Sequence, residues 1–142
     1  MKIESYNIDS ALPGLLENFP VAFAYVYGSA AKGEAHPESD LDLAIEFSAE
    51  TADQDNLLYD KLLPAVSRAL KLPTEKIDLK IFHGLPLSVR FRVIKNGRLI
   101  YLKEKEVFRH RRLAVATLAQ YHDEVEFFDQ AARAFFKRKA EA

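Results

Sequence analysis

The chain has 142 residues, a length typical of one domain with its own hydrophobic core. Hydrophobic residues make up 49% and charged residues 29%, which is typical of a globular protein and excludes a disordered or fibrous chain. Cysteine is absent, which excludes a disulfide scaffold, a thiolate zinc site and a cysteine nucleophile.

The first half of the chain predicts a helix, two strands and a second helix. Ser10 is a candidate cap for a short helix that ends near Asn18, and an apolar strand buried on both faces is expected at residues 21–27. Residues 41–47 alternate between apolar and polar side chains, which predicts a half-buried strand. Thr51 is expected to cap the next helix, whose leucines recur at helical spacing up to Leu70.

The second half predicts two further strands and a long C-terminal helix. Residues 76–82 alternate as a strand, residues 86–95 suit a helix, and residues 98–102 form a short strand after an Asn-Gly turn. Residues 104–139 contain no Gly or Pro, which indicates one long helix or two helices broken once. The predicted fold class is α/β (α+β), with a small mixed or mostly antiparallel sheet, flanking helices and a C-terminal helical segment.

Net charge differs strongly between the two halves, although the chain as a whole carries only −1. Residues 1–60 have a net charge of −10, and residues 61–142 have +9. The acidic half could hold metal ions and the basic half could hold polyanions, or both could be solvated surfaces. The basic half lacks the interleaved aromatic residues of a nucleic-acid site, so we expect no direct nucleic-acid binding.

Localisation is judged from apolar runs. The longest run, at residues 21–27, is too short to span a bilayer, and the N-terminus lacks the apolar core of a secretory signal. We therefore expect a cytoplasmic protein that has no membrane partner.

Three acidic residues are candidates for metal binding. Asp40 and Asp42 lie two positions apart at the start of a predicted strand, so both carboxylates leave the same face. Such close like charges repel unless cations lie between them, and hard divalent ions such as Mg²⁺ prefer oxygen ligands. If Asp78 lies on an adjacent strand, three acids converge, and three acids can hold two ions for a phosphoryl displacement.

Gly28 and Ser29 follow the buried strand and are candidates for phosphate binding. Glycine lets the backbone approach a ligand closely, and free N–H groups at a helical turn from Ser29 would point at an anion. A Gly-Ser turn alone is common, and Asp-x-Asp at a strand edge is more often solvated than metal-bound. The ten-residue spacing between Ser29 and Asp40, with strands on both sides and the third acid in phase, favours the functional interpretation.

With these residues, the chain resembles the nucleotidyltransferase superfamily of the DNA polymerase beta type. Its length is similar to the minimal nucleotidyltransferase branch, and more specifically to the antitoxins of HEPN–MNT (HepT–MntA) toxin–antitoxin systems. The resemblance covers nearly the whole chain, and its specific part is residues 25–47 and 77–80. It implies one nucleotidyltransferase domain, with a core at residues 1–103 and a helical segment at residues 104–142 packed on that core.

The resemblance also implies an activity and a partner. The chain would transfer AMP from ATP to a tyrosine hydroxyl of a cognate HEPN ribonuclease toxin, release pyrophosphate, silence the toxin and form a hetero-oligomer with it. Asp40, Asp42 and Asp78 would be the catalytic residues and would bind two Mg²⁺ ions, with Asp78 as candidate general base. Gly28 and Ser29 would bind the nucleotide phosphates.

Two alternative functions stay open. The chain could transfer a nucleotide to a small molecule such as an aminoglycoside, although it has little room for an acceptor-binding domain. It could also be an antitoxin that occludes the toxin without catalysis, although clustered, repelling carboxylates would bring such a binder no benefit.

Several other residues have no single assigned role. Lys32 stands where the family often has arginine, so its role as a phosphate contact is open. Lys80 could contact the triphosphate or neutralise the acids. The basic run at residues 109–112 could contact a partner or phosphate, or be a solvated helix turn. Of the tail phenylalanines, Phe128 and Phe135 are expected in the core, whereas some of the others could form a partner surface.

Overall fold

The computed structural model describes residues 8–28 and 40–141. Four helices and four strands lie in these ranges. They are α1 Ile8–Glu17, β1 Val21–Tyr27, β2 Leu41–Phe47, α2 Asp55–Leu70, β3 Ile77–Ile81, α3 Leu87–Asn96, β4 Arg98–Leu102 and α4 Val107–Glu141.

The strands form one mixed sheet in the order β3-β2-β1-β4. β1 pairs antiparallel with both β2 and β4, whereas β2 and β3 run parallel and are connected through α2. A parallel pair needs such a crossover, because a short turn cannot return the chain to the same end of the sheet. The predicted mixed sheet with flanking helices is confirmed.

Helices cover both faces of the sheet. On one face α1 and α2 supply Leu12 and Leu62 to a core that also contains Leu43 of β2. On the other face α3 and α4 supply Val93 and Leu113 to a second core. The sheet is therefore the middle layer of three.

The second helical layer overturns the prediction that β2 is half-buried. Glu46, expected on a polar face, is 2% exposed, because α3 and α4 cover that face. Its carboxylate accepts hydrogen bonds from Arg109 Nη2 at 3.2 Å and from the His83 backbone N–H at 3.2 Å, and its Oε1 lies 2.9 Å from His83 Nδ1. A buried carboxylate needs such partners, so Arg109 serves the fold. Its neighbour His110 does so too, with Nε2 2.6 Å from the Tyr25 hydroxyl.

The start of α2 differs from the expectation. Thr51 lies inside a 3₁₀ turn, Ala49–Gln54, and its hydroxyl donates to the carbonyl of Ser48 at 3.1 Å. The helix proper begins at Asp55 without a side-chain cap. Thr51 thus stabilises the 3₁₀ turn that leads into α2 and does not cap α2 itself.

The last helix is continuous, and its second half lies away from the sheet. α4 packs against α3 through its first turns, but Phe127, Phe128, Phe135 and Phe136 are 48–66% exposed. The expected core packing of Phe128 and Phe135 is wrong, because no other described element reaches this part of the helix. Neither α4 nor any other described helix combines the length and apolarity needed to cross a membrane.

Candidate active site

Two of the predicted acids face each other across the parallel strands. Asp42 on β2 is the direct register partner of Asp78 on β3. A hydrogen bond links the two carboxyl groups, and Lys80 Nζ lies 3.5 Å from Asp78 Oδ1. The interpretation of Lys80 as a neutralising charge fits this ion pair. The phase argument from the sequence placed both acids on one face, and the parallel register makes them neighbours.

The electrostatics of Asp42 indicate crowded negative charge. Burial is the largest of the causes that raise the pKa of Asp42 to about 6. The charge of Asp78, the hydrogen bond to Asp78 and the charge of Asp40 also raise it, whereas Lys80 lowers it. A carboxyl group with so high a pKa is destabilised in its ionised form. A cation at this position would remove that penalty.

Gly28 lies directly against Asp42. Its φ is +71°, a conformation that residues with a Cβ rarely adopt, and a Cβ placed there would lie 2.5 Å from Asp42 Oδ2. Both the turn after β1 and the position of the carboxylate therefore require glycine.

A cavity of about 350 Å³ opens over these residues at the ends of the strands. Tyr27, Gly28, Asp42 and Asp78 line it from the sheet, and Arg92 and Asn96 of α3 line it from above. The cavity volume lies in the usual range for a small-molecule site. Cationic, amide, hydroxyl and carboxylate groups thus converge on one open volume.

Three of these lining residues were missed in the sequence: Tyr27, Arg92 and Asn96. A signal existed for Tyr27, since it is the last residue of a buried strand and the register partner of Asp42. Arg92 and Asn96 lie four residues apart and so share one helix face, but only the packing of α3 against β1 directs that face at the acids.

Tyr27 remains protonated in this environment. Burial is the largest of the causes that raise its pKa to about 12; the charges of Asp42 and Asp78 also raise it, and Arg92 lowers it. Its hydroxyl can therefore donate a hydrogen bond at neutral pH.

The donor set fits a hard divalent cation. Asp42 and Asp78 supply carboxylate oxygens, and Asp40, exposed just before β2, adds negative charge within electrostatic reach of Asp42. Across residues 8–28 and 40–141, no three acidic, histidine or cysteine side chains are already gathered as a metal site. Two protein carboxylates leave coordination positions for water and phosphate oxygens, as Mg²⁺ prefers.

The predicted site residues thus have different outcomes. The structure brings Gly28, Asp42 and Asp78 into one cavity, and it places Asp40 beside that cavity and outside its lining. Ser29 and Lys32 lie outside the described residues, so the phosphate contact of Ser29 stays a prediction and the role of Lys32 stays open.

A protein of Methanocaldococcus jannaschii, named for a proposed protein adenylyltransferase activity, is 32% identical over 85 residues, which cover 60% of this chain. The aligned region spans 59% of that relative's length.

Solved structures of similar fold come from toxin–antitoxin complexes. One chain of a toxin–antitoxin crystal structure with AMP-PNP matches with a TM-score of 0.65 and 22% identity, covering 94% of this chain and 98% of the other. One chain of the tri-AMPylated Shewanella oneidensis HEPN toxin in complex with MNT antitoxin matches with a TM-score of 0.59 and 21% identity, covering 98% and 99%. These likenesses establish the fold.

The family comparison covers the site itself. The sequence model described as "Polymerase beta, Nucleotidyltransferase" matches residues 12–106, which include β1, β2, β3 and every described residue that lines the cavity. The chain therefore belongs to the polymerase beta nucleotidyltransferase family.

Proposed function

We propose that this chain is a protein adenylyltransferase that acts as the antitoxin of a HEPN-domain toxin. It would transfer AMP from ATP to a tyrosine hydroxyl of that toxin. The observation that carries the proposal is the pair of facing carboxylates, Asp42 and Asp78, beside Gly28 in an open cavity. Such a pair suits metal-assisted phosphoryl transfer, because it can hold divalent cations next to a bound triphosphate.

The comparisons support the substrate and the partner. The curated relative is named for protein adenylyltransferase activity, one structural neighbour contains AMP-PNP, and another contains an AMPylated HEPN toxin. The chain spans about three fifths of the curated relative's length, so its own acceptor and partner are part of the proposal.

The cation site is assigned to the carboxylates. Asp42 and Asp78 would hold Mg²⁺, and Asp40 would complete the set for a second ion. When bound, Mg²⁺ supplies positive charge that offsets the negative charge of the phosphate oxygens during transfer. Lys80, paired with Asp78 at 3.5 Å, limits the repulsion between the acids before nucleotide binds.

The remaining lining residues orient the nucleotide. Gly28, which has no side chain between the backbone and Asp42, would allow close approach of the phosphates, and Ser29 would add a donor. Arg92 and Asn96 would contact the nucleotide from α3, with the guanidinium directed at phosphate oxygens. Tyr27, held protonated, would donate a hydrogen bond to the ligand.

The transfer step has a simple balance. The acceptor hydroxyl oxygen attacks the α-phosphorus of ATP, and a new P–O bond forms to that oxygen. The bond from the α-phosphorus to the pyrophosphate oxygen breaks, and pyrophosphate leaves with that electron pair. The hydroxyl proton passes to the carboxylate of Asp78, the candidate general base.

The proposal is tested by pyrophosphate release. Purified chain is incubated with Mg²⁺, ATP and the protein encoded beside it. We expect release to require all three, to be lost in Asp42→Asn and to be kept in Asp60→Asn, a matched change on the exposed side of α2.

Two results would favour the alternatives. Release with an aminoglycoside in place of the protein acceptor would indicate a small-molecule nucleotidyltransferase. A stable complex without release, unaffected by Asp42→Asn, would indicate an occluding binder.

A further inference from the structure

The second half of α4 presents an apolar stripe that begins at Tyr121, whose ring stacks on Phe91 of α3, and beyond Tyr121 no described part of the chain covers it. Tyr121, Val125, Phe128, Ala132 and Phe135 follow one another at alternating intervals of four and three residues. Val125, Phe128 and Phe135 are 49%, 60% and 48% exposed. This 3.5-residue repeat is the pattern of a coiled-coil seam, which buries its stripe against another helix. We call these five residues the tail stripe.

Charge along the same segment is divided into two blocks. The first block is acidic, with Asp123, Glu124, Glu126 and Asp129 and no Lys or Arg. The second block is basic, with Arg133, Lys137, Arg138 and Lys139 before the next acid at Glu141. A helix with one acidic and one basic end is complementary to a second copy of itself in the antiparallel orientation.

We propose that the tail stripe is a self-association surface, on which the α4 helices of two copies pair antiparallel about a two-fold axis near residue 130. A coiled-coil seam alternates between two core positions, a and d. In an antiparallel pair, each a residue lies opposite a d residue of the other helix. This register places Phe128 opposite Ala132 of the second copy and Val125 opposite Phe135. Phe128 and Phe135 thus each meet a smaller side chain, as close packing requires. Tyr121 lies opposite Lys139 of the second copy.

The charges at the sides of the stripe agree with this register. Glu124 lies opposite Arg138 of the second copy, and the two-fold axis repeats that pair. Asp129 lies near its own symmetry mate, but Arg133 Nη2 of the same helix already pairs with it at 3.0 Å. A parallel arrangement would instead place Phe128 against Phe128 and Ala132 against Ala132, and would bring Lys139 together with Lys139.

A small cavity at the inner end of the stripe completes the surface. It has a volume of about 210 Å³, and Phe91, Leu118, Tyr121, His122 and Val125 line it. The same register brings Phe136 of the second copy opposite His122. We assign this cavity as the seat of the Phe136 ring, which is 66% exposed in the single chain.

The length of the paired segment determines the expected affinity of the dimer. From Tyr121 to Glu141 the helix is about 30 Å long, at roughly 1.5 Å per residue. One helix pair of this length is a small interface, so we expect reversible dimerisation in the micromolar range rather than an obligate dimer. The proposal does not depend on the proposed catalytic function, since the stripe and the cavity over Asp42 share no residue.

The first test measures the mass of the full chain in solution by sedimentation equilibrium, from about 1 to 200 µM in about 0.15 M salt. We expect the mass to rise from one to two chains across this range. Phe128→Ala should weaken the dimer about tenfold or more, whereas Phe127→Ala, an equally exposed neighbour outside the seam, should not. A monomer at every concentration, or equal effects of the two variants, would overturn the proposal.

The second test uses charge exchange. Glu124→Arg places two arginines opposite each other, and Arg138→Glu places two glutamates opposite each other, so each variant should dissociate about tenfold more readily. The double variant should recover the dimer, and a mixture of the two single variants should form a heterodimer. Failure of both the double variant and the mixture to associate would refute the antiparallel register. A tail that associates only with the protein encoded beside this chain would refute self-association.

Discussion

Replacing Asp42 with asparagine is expected to stabilise the metal-free protein. Asparagine keeps the size of the side chain and can donate its amide N–H to Asp78. It carries no charge, so it avoids both the cost of burying an ionised carboxylate and the repulsion from Asp78 and Asp40. The substitution should thus remove a free-energy penalty that the carboxylates of the candidate active site impose on the folded state.

The magnitude follows from the pKa of Asp42, which rises from 3.8 to about 6 on folding. A shift of this size corresponds to at most about 3 kcal/mol in the free energy of unfolding. Because the carboxyl group is half-exposed, solvent screening reduces this to about 1 kcal/mol. For a domain of this length, about 1 kcal/mol corresponds to about 3 °C in Tm.

The sign determines the pH window. A carboxyl group whose pKa is raised on folding destabilises the protein only where it is ionised. Its cost is absent below about pH 4, grows as the pH rises to about 6, and is constant above that. The stability difference between Asp42→Asn and the unchanged protein should follow this profile.

The assay is thermal unfolding in EDTA at several pH values between about 3.5 and 7.5. Asp60→Asn is the control, since that carboxylate is exposed on α2. An Asp42→Asn variant that is less stable than the unchanged protein at pH 7, or a difference that does not vary with pH, would refute the reasoning. Adding Mg²⁺ should then raise the Tm of the unchanged protein and leave the variant unaffected.

Three further substitutions test the site and the fold. Gly28→Ala should destabilise the chain by about 1 kcal/mol and reduce AMP transfer by at least about tenfold, because the added Cβ displaces the Asp42 carboxylate. Unfolding and transfer assays measure the two effects. Unchanged transfer would contradict the close approach of Gly28 to Asp42. Arg92→Ala should raise the KM for ATP about tenfold, whereas Lys95→Ala on the same helix should not; equal KM values for the two variants would remove Arg92 from the site. Arg109→Ala should lower the free energy of unfolding in urea by about 2 kcal/mol, because the buried Glu46 loses one of its partners. Arg112→Ala, at an exposed position, should lower it little. Similar losses in the two variants would show that the Arg109–Glu46 pair does not stabilise the fold.

Strand positions could be predicted closely because local signals bound them. Residues 21–27, 41–47 and 98–102 coincide with β1, β2 and β4. Pro20 and Gly28 bound the first segment, strict alternation marks the second, and Gly97 precedes the third. The phase of Asp42 and Asp78 could also be predicted, because side chains alternate along a strand.

Features set by tertiary packing could not be predicted. Alternation along β2 indicated a solvated face for Glu46, but no local pattern tells that a second layer of helices covers that face. Arg92 could not be recognised as a site residue, because its role depends on where α3 crosses the sheet. In α4, Phe128 and Phe135 were expected in the core because their spacing is that of a helical core stripe. They are exposed, because they lie on the part of α4 that extends beyond the sheet and the other helices.

The central claim is that the acids of this chain drive transfer of AMP to a partner protein. The most direct test is intact-mass spectrometry of the protein encoded beside this chain, co-expressed with the unchanged chain or with the Asp40→Asn/Asp42→Asn double variant. We expect the partner's mass to increase by whole AMP units only with the unchanged chain. A partner whose mass never changes, and whose toxicity both forms suppress equally, would contradict the claim and indicate that the chain acts by binding alone.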